Sequence, residues 1–413
     1  MFVQPSTVHN QAIVSDTYSR PIAAPLITEP TVRQLSYQEL DILHCLRGFC
    51  ALYVVVYHAK YILWSGGHEY INAFPRVTWS IWQYGAFFID MLSSAGYEMV
   101  IFFFVLSGFF IRYAQQRKHR TPKSFYLNRI VRIYPPYLVS ALLAAGGLTL
   151  IARFVPQALT TVEHRELNTG LLVAWDSLRH FNLLKLVRIL VFLPSESNVF
   201  VGYNLVYWSL LPEALFYAVV PLAFWNIRAY YVVSLLLYLV GVTTKSLYFG
   251  GEGVTSFLLV YNFYFAVGVA LYDIVIHTDW LAWFKRVSGL LLGSTVFLLA
   301  VMLLTLAVLK LKLLSGLVAV LLAVLAISAL LGGRLPQRNP FVRVFHPIGI
   351  YSFSLYLYHF PLLILCAGFL VNTTGALVCY TRYYWLAIPV VTACCYALYW
   401  ITERASVKFF RKM

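Results

Sequence analysis

Charge is what this sequence has least of. Only 11% of its 413 residues are Asp, Glu, Lys or Arg, against 61% hydrophobic. A soluble globular chain is roughly a quarter charged and about half apolar, so the composition argues against a water-soluble globule. Acids are scarcer still, 16 against 31 basic residues. In a soluble protein a formal charge of +15 would point to nucleic acid. Here the cations sit mainly in short connections between apolar runs, the pattern that orients membrane spans, so no nucleic-acid partner is expected. Cysteine is sparse too: there are six, with no Cys-x-x-Cys. Cys45, Cys50, Cys366, Cys394 and Cys395 lie in or beside apolar runs, which suggests small core residues, not a disulfide framework or a metal site. No repeat of fixed period is visible, nor the half-to-half hydropathy match of many transporters. No cleavable signal peptide is expected.

What the chain has is long apolar runs. A bilayer core needs about 20 apolar residues per helix. Ten runs qualify, roughly 45–64, 97–114, 135–154, 204–225, 229–249, 256–276, 287–308, 312–331, 348–370 and 384–402. The expected fold is all-α, a polytopic membrane protein with about ten transmembrane helices. A shorter run, LLKLVRILVFLP at 183–194, carries Lys185 and Arg188 and reads as an interfacial or re-entrant helix. Residues 1–40, with Pro5, Pro21, Pro25 and Pro30, read as a flexible cytoplasmic tail before a membrane-embedded domain over 41–413.

The connections set the orientation. Arg112, Arg117, Lys118, Arg120, Lys123, Arg129 and Arg132 lie between or near the second and third spans. Lys285 and Arg286, then Arg334, Arg338 and Arg343, then Arg404, Lys408, Arg411 and Lys412 follow later. With ten spans all of these share one side with both termini, and that side should be cytoplasmic. The longest opposite connection, about 155–203, is placed to cap a cavity or meet an extracytoplasmic ligand.

Ionisable residues inside the spans are costly and therefore informative. In LRGFCALYVVVYH, Arg47 and His58 are eleven residues apart. On a helix this returns to within roughly 20° of one face and separates them by about 16 Å. Such a face should line a polar passage. Taken singly, Arg47 has a membrane-anchor alternative and His58 a structural hydrogen-bonding one. Glu213 stands in the fourth span beside Pro212, where a kink is expected. His359 precedes Phe360 and Pro361 in the ninth, and Ser107 and Gly108 interrupt the aromatic run FFFVLSGFFI, which permits close helix approach. Arg129 and Arg132 are helical neighbours. Their guanidinium groups suit a phosphorylated ligand, with anionic lipid headgroups as the alternative.

These segments, in this order, resemble the acyltransferase 3 family of integral-membrane O-acyltransferases. LRGFCALYVVVYH is similar to its Arg-x10-His first helix, FFFVLSGFFI to its second-helix signature, and NRIVRIYPPY to its Arg-x-x-Arg motif. WSLLPEALFY is similar to its Trp-Ser-Leu-x-x-Glu helix, and YSFSLYLYHFPL to its late His-x-Pro segment. The resemblance covers about residues 41–405. Two places depart from the family pattern, where His44 and Ile101 stand in place of acids; Asp41 and Glu98 lie one turn away.

The resemblance implies transfer of an acyl group, most often acetyl, from cytoplasmic acyl-CoA to a hydroxyl of a surface polysaccharide, lipopolysaccharide or lipid-linked sugar, in the bacterial inner membrane. Acetyl-CoA is then the donor substrate, with no permanently bound cofactor. Arg47, Arg129 and Arg132 are the expected donor-binding cations, and His58 the general base or an acyl-carrying nucleophile. Glu213 would orient or charge-balance the imidazole or position the sugar. Trp208, Ser107 and His359 are the candidate substrate-binding residues, with packing as the alternative for the last two. A transporter or flippase of lipid-linked sugar is the competing function. A homo-oligomer is compatible with all of this.

Overall fold

Helix ends follow from local chemistry. In this computed structural model the described residues are 35–118, 121–162, 165–196, 198–244, 253–336, 338–377, 379–381 and 384–412. The expected tail up to residue 34, and Arg120, lie outside them. Ser36 opens α1 (Tyr37–Asp41) through a reciprocal capping box with Glu39. The first apolar run becomes α2 (His44–Trp64), which stops where Ser65 turns left-handed at φ 63°. Next come α3 (Gly67–Ala73), α4 (Ile81–Met91) behind a Ser80–Gln83 capping box, and α5 (Gly96–Lys118). Thr121 caps α6 (Pro122–Phe154), with proline at the first position, where no amide donor is needed.

The long connection folds into α7 (Glu166–Arg179) and α8 (Leu183–Leu190). Two 3-10 turns, Val201–Tyr203 and Leu205–Ser209, lead into α9 (Leu210–Ala223). Pro212 therefore falls in the first turn of α9, where a missing N–H costs nothing, so it removes no hydrogen bond inside the helix beside Glu213. After α10 (Ile227–Thr243), α11 (Val254–Ser256) passes through a π-helical turn into α12 (Asn262–His277). The chain continues through α13 (Trp280–Arg286), α14 (Gly289–Val308), α15 (Lys312–Leu331) and α16 (Pro340–Ile350). It ends with α17 (Ser352–Thr374), α18 (Tyr384–Ile401) and α19 (Glu403–Lys412).

The chain is an all-α polytopic membrane protein. Among the described residues no strand forms and nine helical segments are long and apolar enough to cross a membrane. The tenth expected span corresponds to α10, whose 17 described residues reach about 26 Å at 1.5 Å each, just short of a ~30 Å core. Its expected continuation over 245–249 lies outside the described residues.

The short 183–194 run forms α8, whose end is held against another helix. Tyr134 and Tyr137 donate to the carbonyls of Leu190 and Ile189 at 2.9 and 2.7 Å, which anchors the end of α8 against the middle of α6.

Two glycine crossings set the tightest helix pairs. A Cβ on Gly48 would enter the Phe345 carbonyl, and one on Gly349 would enter that of His44, so α2 and α16 touch backbone to backbone. Gly108 and Gly268 do the same for α5 and α12, the close approach that FFFVLSGFFI suggested. α17 packs against α2, α6 and α18, while α14 rests on α15 with Leu303 as its one buried residue. Pro361 has no amide hydrogen, so the Leu357 carbonyl one turn earlier loses its helical donor. Ser140 of α6 and Asn204 replace it, at 2.8 and 3.1 Å.

Candidate active site

The basic residues scattered along the sequence converge on one cavity of about 1230 Å³. Arg47 of α2, Arg129 and Arg132 of α6, and Arg404 and Lys408 of α19 all line it. That gathering puts the ends of α2, α6 and α19 on one side of the bundle, as the loop charges implied. Aromatic faces hold several of these cations: Arg129 lies 5.3 Å from the Tyr217 ring and 5.6 Å from Phe125, and Arg47 lies 6.0 Å from Phe110. A ring fixes the position of a guanidinium without neutralising it.

Acids at the cavity are engaged by other protein groups. Asp41 Oδ2 meets His346 Nε2 of α16 at 2.8 Å, and Glu403 accepts from Ser354 Oγ at 2.7 Å. Tyr217 Oη donates to the Glu213 carboxylate, and Ser107 Oγ lies 3.4 Å from the same hydroxyl. Ser107, Glu213 and Tyr217 all line the cavity. Tyr217 was not singled out from the sequence, although it follows Glu213 by four residues, the spacing that puts two side chains on one helical face.

A second cluster lies deeper. His58 Nδ1 and His359 Nε2 are 2.8 Å apart, with stacked rings 5.1 Å between centroids. His359 is fully buried and its Nδ1 lies 2.9 Å from the Leu355 carbonyl oxygen. Phe360 and Tyr57 present ring edges to His58 at 5.0 and 5.1 Å. The first-helix stripe therefore has two environments: Arg47 lines the large cavity, while His58 is not among its lining residues and faces α17. Tyr356 joins the two regions. It lines the cavity, its ring lies 6.1 Å from His359, and its hydroxyl lies 2.8 Å from Ser209 Oγ.

The acids near the first motifs face elsewhere. Glu213 is held by Tyr217, not by His58. Glu98 is buried toward Ser315 and Lys312 of α15. The partner of His58 is instead a second imidazole 301 residues away. Trp208 stacks on Tyr97 at 5.8 Å and packs against Tyr261 and Phe104; it does not itself line the large cavity, although Phe104 does. Lys60, two residues beyond His58, is buried; its Nζ donates to the Asp90 carbonyl at 2.7 Å and to Ser94 Oγ at 3.2 Å. Asp90 in turn accepts from Tyr384, so this cation pins α2 to α4 and α18. Among the described residues no three His, Cys, Asp or Glu side chains gather as metal ligands.

The model of the acyltransferase 3 family, described as an acyltransferase domain, matches residues 40–400. No curated protein and no solved structure matches the chain significantly. The match runs from the helix that carries Arg47 and His58, through the cavity-forming helices, almost to the end of α18, and the chain belongs to the acyltransferase 3 family of membrane acyltransferases.

Proposed function

We propose that this acyltransferase moves an acyl group, acetyl in the simplest case, from acyl-CoA to a hydroxyl of a glycan or lipid-linked sugar across the membrane. The observation that carries this reading is the cavity of about 1230 Å³ with cations at its walls and the histidine pair next to its lining residue Tyr356. Drug-sized ligands occupy about 300–1,000 Å³, so the space suits a longer molecule. CoA is one: anionic at its nucleotide end and carrying its thioester at the tip of a narrow arm.

In this reading Arg47, Arg129 and Arg132 receive the phosphates as charge-assisted donors. The pantetheine arm passes Ser107 and Glu213, whose carboxylate accepts from the arm's amide groups, and the thioester arrives beside Tyr356 and His58. His58 removes the proton of the acceptor hydroxyl. The oxygen attacks the thioester carbonyl, the carbon–sulfur bond breaks, and the proton leaves with the CoA thiol. Trp208, behind the cavity-lining Phe104, belongs to the acceptor side. The basic end faces the cytoplasm with both termini, residues 1–40 forming a tail there and 41–413 the membrane domain, in a bacterial inner membrane.

Purified protein in detergent should release CoA thiol from acetyl-CoA when an acceptor glycan is supplied. Mass spectrometry of surface glycans from a deletion strain and its parent identifies the acceptor. Equal acylation in both strains, with no thiol release from any acyl-CoA, would refute the proposal.

A further inference from the structure

The histidine pair contains more information than proximity. A carbonyl oxygen can only accept, so the contact between His359 Nδ1 and the Leu355 oxygen at 2.9 Å requires the hydrogen on His359 Nδ1. In neutral His359 the other nitrogen, Nε2, is then a lone-pair acceptor. That nitrogen is the one 2.8 Å from His58 Nδ1, so His58 Nδ1 must carry the hydrogen in this contact. In neutral His58 this leaves Nε2 bare. One backbone carbonyl thus determines the protonation pattern of two rings in sequence.

We propose that His359 is a positioning residue that locks His58 as its Nδ1–H tautomer, directing the basic lone pair of Nε2 away from α17 toward the reacting hydroxyl. This deepens the general-base reading and rests on it for its kinetic consequence. The place of His359 is the one an orienting carboxylate takes beside a catalytic histidine in a triad, filled here by a neutral ring. When His58 Nε2 gains a proton, the positive charge is shared through the Nδ1–H bond with His359, whose own Nδ1–H remains on Leu355. No net charge is buried in the resting pair, which suits a site in the membrane interior better than a fixed carboxylate would.

The surroundings hold His359 in this role. It is fully buried, with Tyr356 and Phe360 ring centroids at 6.1 and 6.5 Å. The turn that carries it is tied to its neighbours at Leu357 by Ser140 and Asn204, where Pro361 has removed the helical donor. Leu355 lies one helical turn before His359, so the carbonyl that sets the tautomer belongs to the same rigid element.

Two measurements test this. Solid-state ¹⁵N spectra of histidine-labelled protein, with the His58 signals identified by their loss in His58→Ala, should show protonated Nδ1 and unprotonated Nε2. A wild-type His58 carrying its hydrogen on Nε2 overturns the proposal without reference to activity. Kinetically, His359→Leu should lower kcat by about 10²–10⁴-fold with an unchanged donor KM, the scale of a lost acid–base arrangement. His359→Gln, whose amide oxygen can accept from His58 Nδ1–H, should recover about tenfold or more of that loss. Full kcat in a folded His359→Leu variant overturns the positioning role. If wild-type protein turns over no acyl-CoA while the spectra show the expected tautomer, it is the acyltransfer reading of the site that fails, and the tautomer assignment stands.

Discussion

Arg112 and Asp273 meet in a two-point ion pair, Nε to Oδ1 at 2.8 Å and Nη2 to Oδ2 at 3.1 Å, with Tyr231 Oη donating to the same carboxylate at 2.6 Å. Three helices, α5, α10 and α12, are fastened there. Both side chains are largely shielded, at 13% and 16% exposure. Breaking such a pair from one side leaves an uncompensated charge and costs about 3–5 kcal/mol. Arg112→Ala should therefore lower the thermal midpoint in detergent strongly, while Arg112→Ala with Asp273→Ala together should lose less than the two single losses summed. Donor KM should not change, because Arg112 does not line the cavity. A single variant as stable as the parent would show that the pair does not hold these helices.

Arg129 lines the cavity over Tyr217 and Phe125, where the proposed donor's phosphates would lie. Hydrogen bonds to charged groups contribute about 1.5–3 kcal/mol, so Arg129→Ala should raise the KM for acyl-CoA by roughly 10- to 100-fold with kcat retained. Arg132→Ala should act in the same direction. A donor KM unchanged in both variants would return these arginines to the lipid headgroups.

Much of the fold was legible because lipid leaves few choices: apolar runs of sufficient length become helices, and basic connections gather on one side. The cations of the cavity were legible for the same reason. The partner of His58 was not, because Leu355, which sets the orientation of His359, acts through its backbone and so through no property of its side chain. Lys60 went unremarked beside His58, since its pairing with a carbonyl in a distant turn has no spacing signal. Arg112 read only as one loop cation among several; the acid 161 residues away that makes its charge structural gives no local signal. Pro212 promised a kink and instead opens a helix, because the preceding 3-10 turn already ends the hydrogen-bond ladder.

His58→Ala should abolish transfer, by about 10²–10⁴-fold or more, in protein that still inserts and folds. Normal acylation by that variant would remove His58 from the chemistry. Incubation with radiolabelled acetyl-CoA in the absence of acceptor separates two routes. Direct transfer predicts no retained label. Stable label on wild-type protein that His58→Ala lacks would replace the general base with an acyl-histidine relay.

The α2–α16 crossing offers a test of packing alone. A methyl group at Gly48 has nowhere to go, because its nearest neighbours are backbone atoms of Phe345 and Gly349 and not the end of a flexible side chain. Overpacking of this kind costs about 1–3 kcal/mol. Gly48→Ala should push α16 off α2, strain the Asp41–His346 contact at 2.8 Å, and lower the thermal midpoint. Gly146 is the control. It lies inside α6 with no atom within 4 Å of the position a Cβ would take. Removing its backbone freedom should make Gly146→Ala neutral or more stable by about 0.5–1 kcal/mol. The two substitutions add the same methyl group to helices of one protein, so opposite signs in thermal unfolding would locate the effect in the crossing. Equal midpoints for both variants would mean that α16 rides loosely on α2.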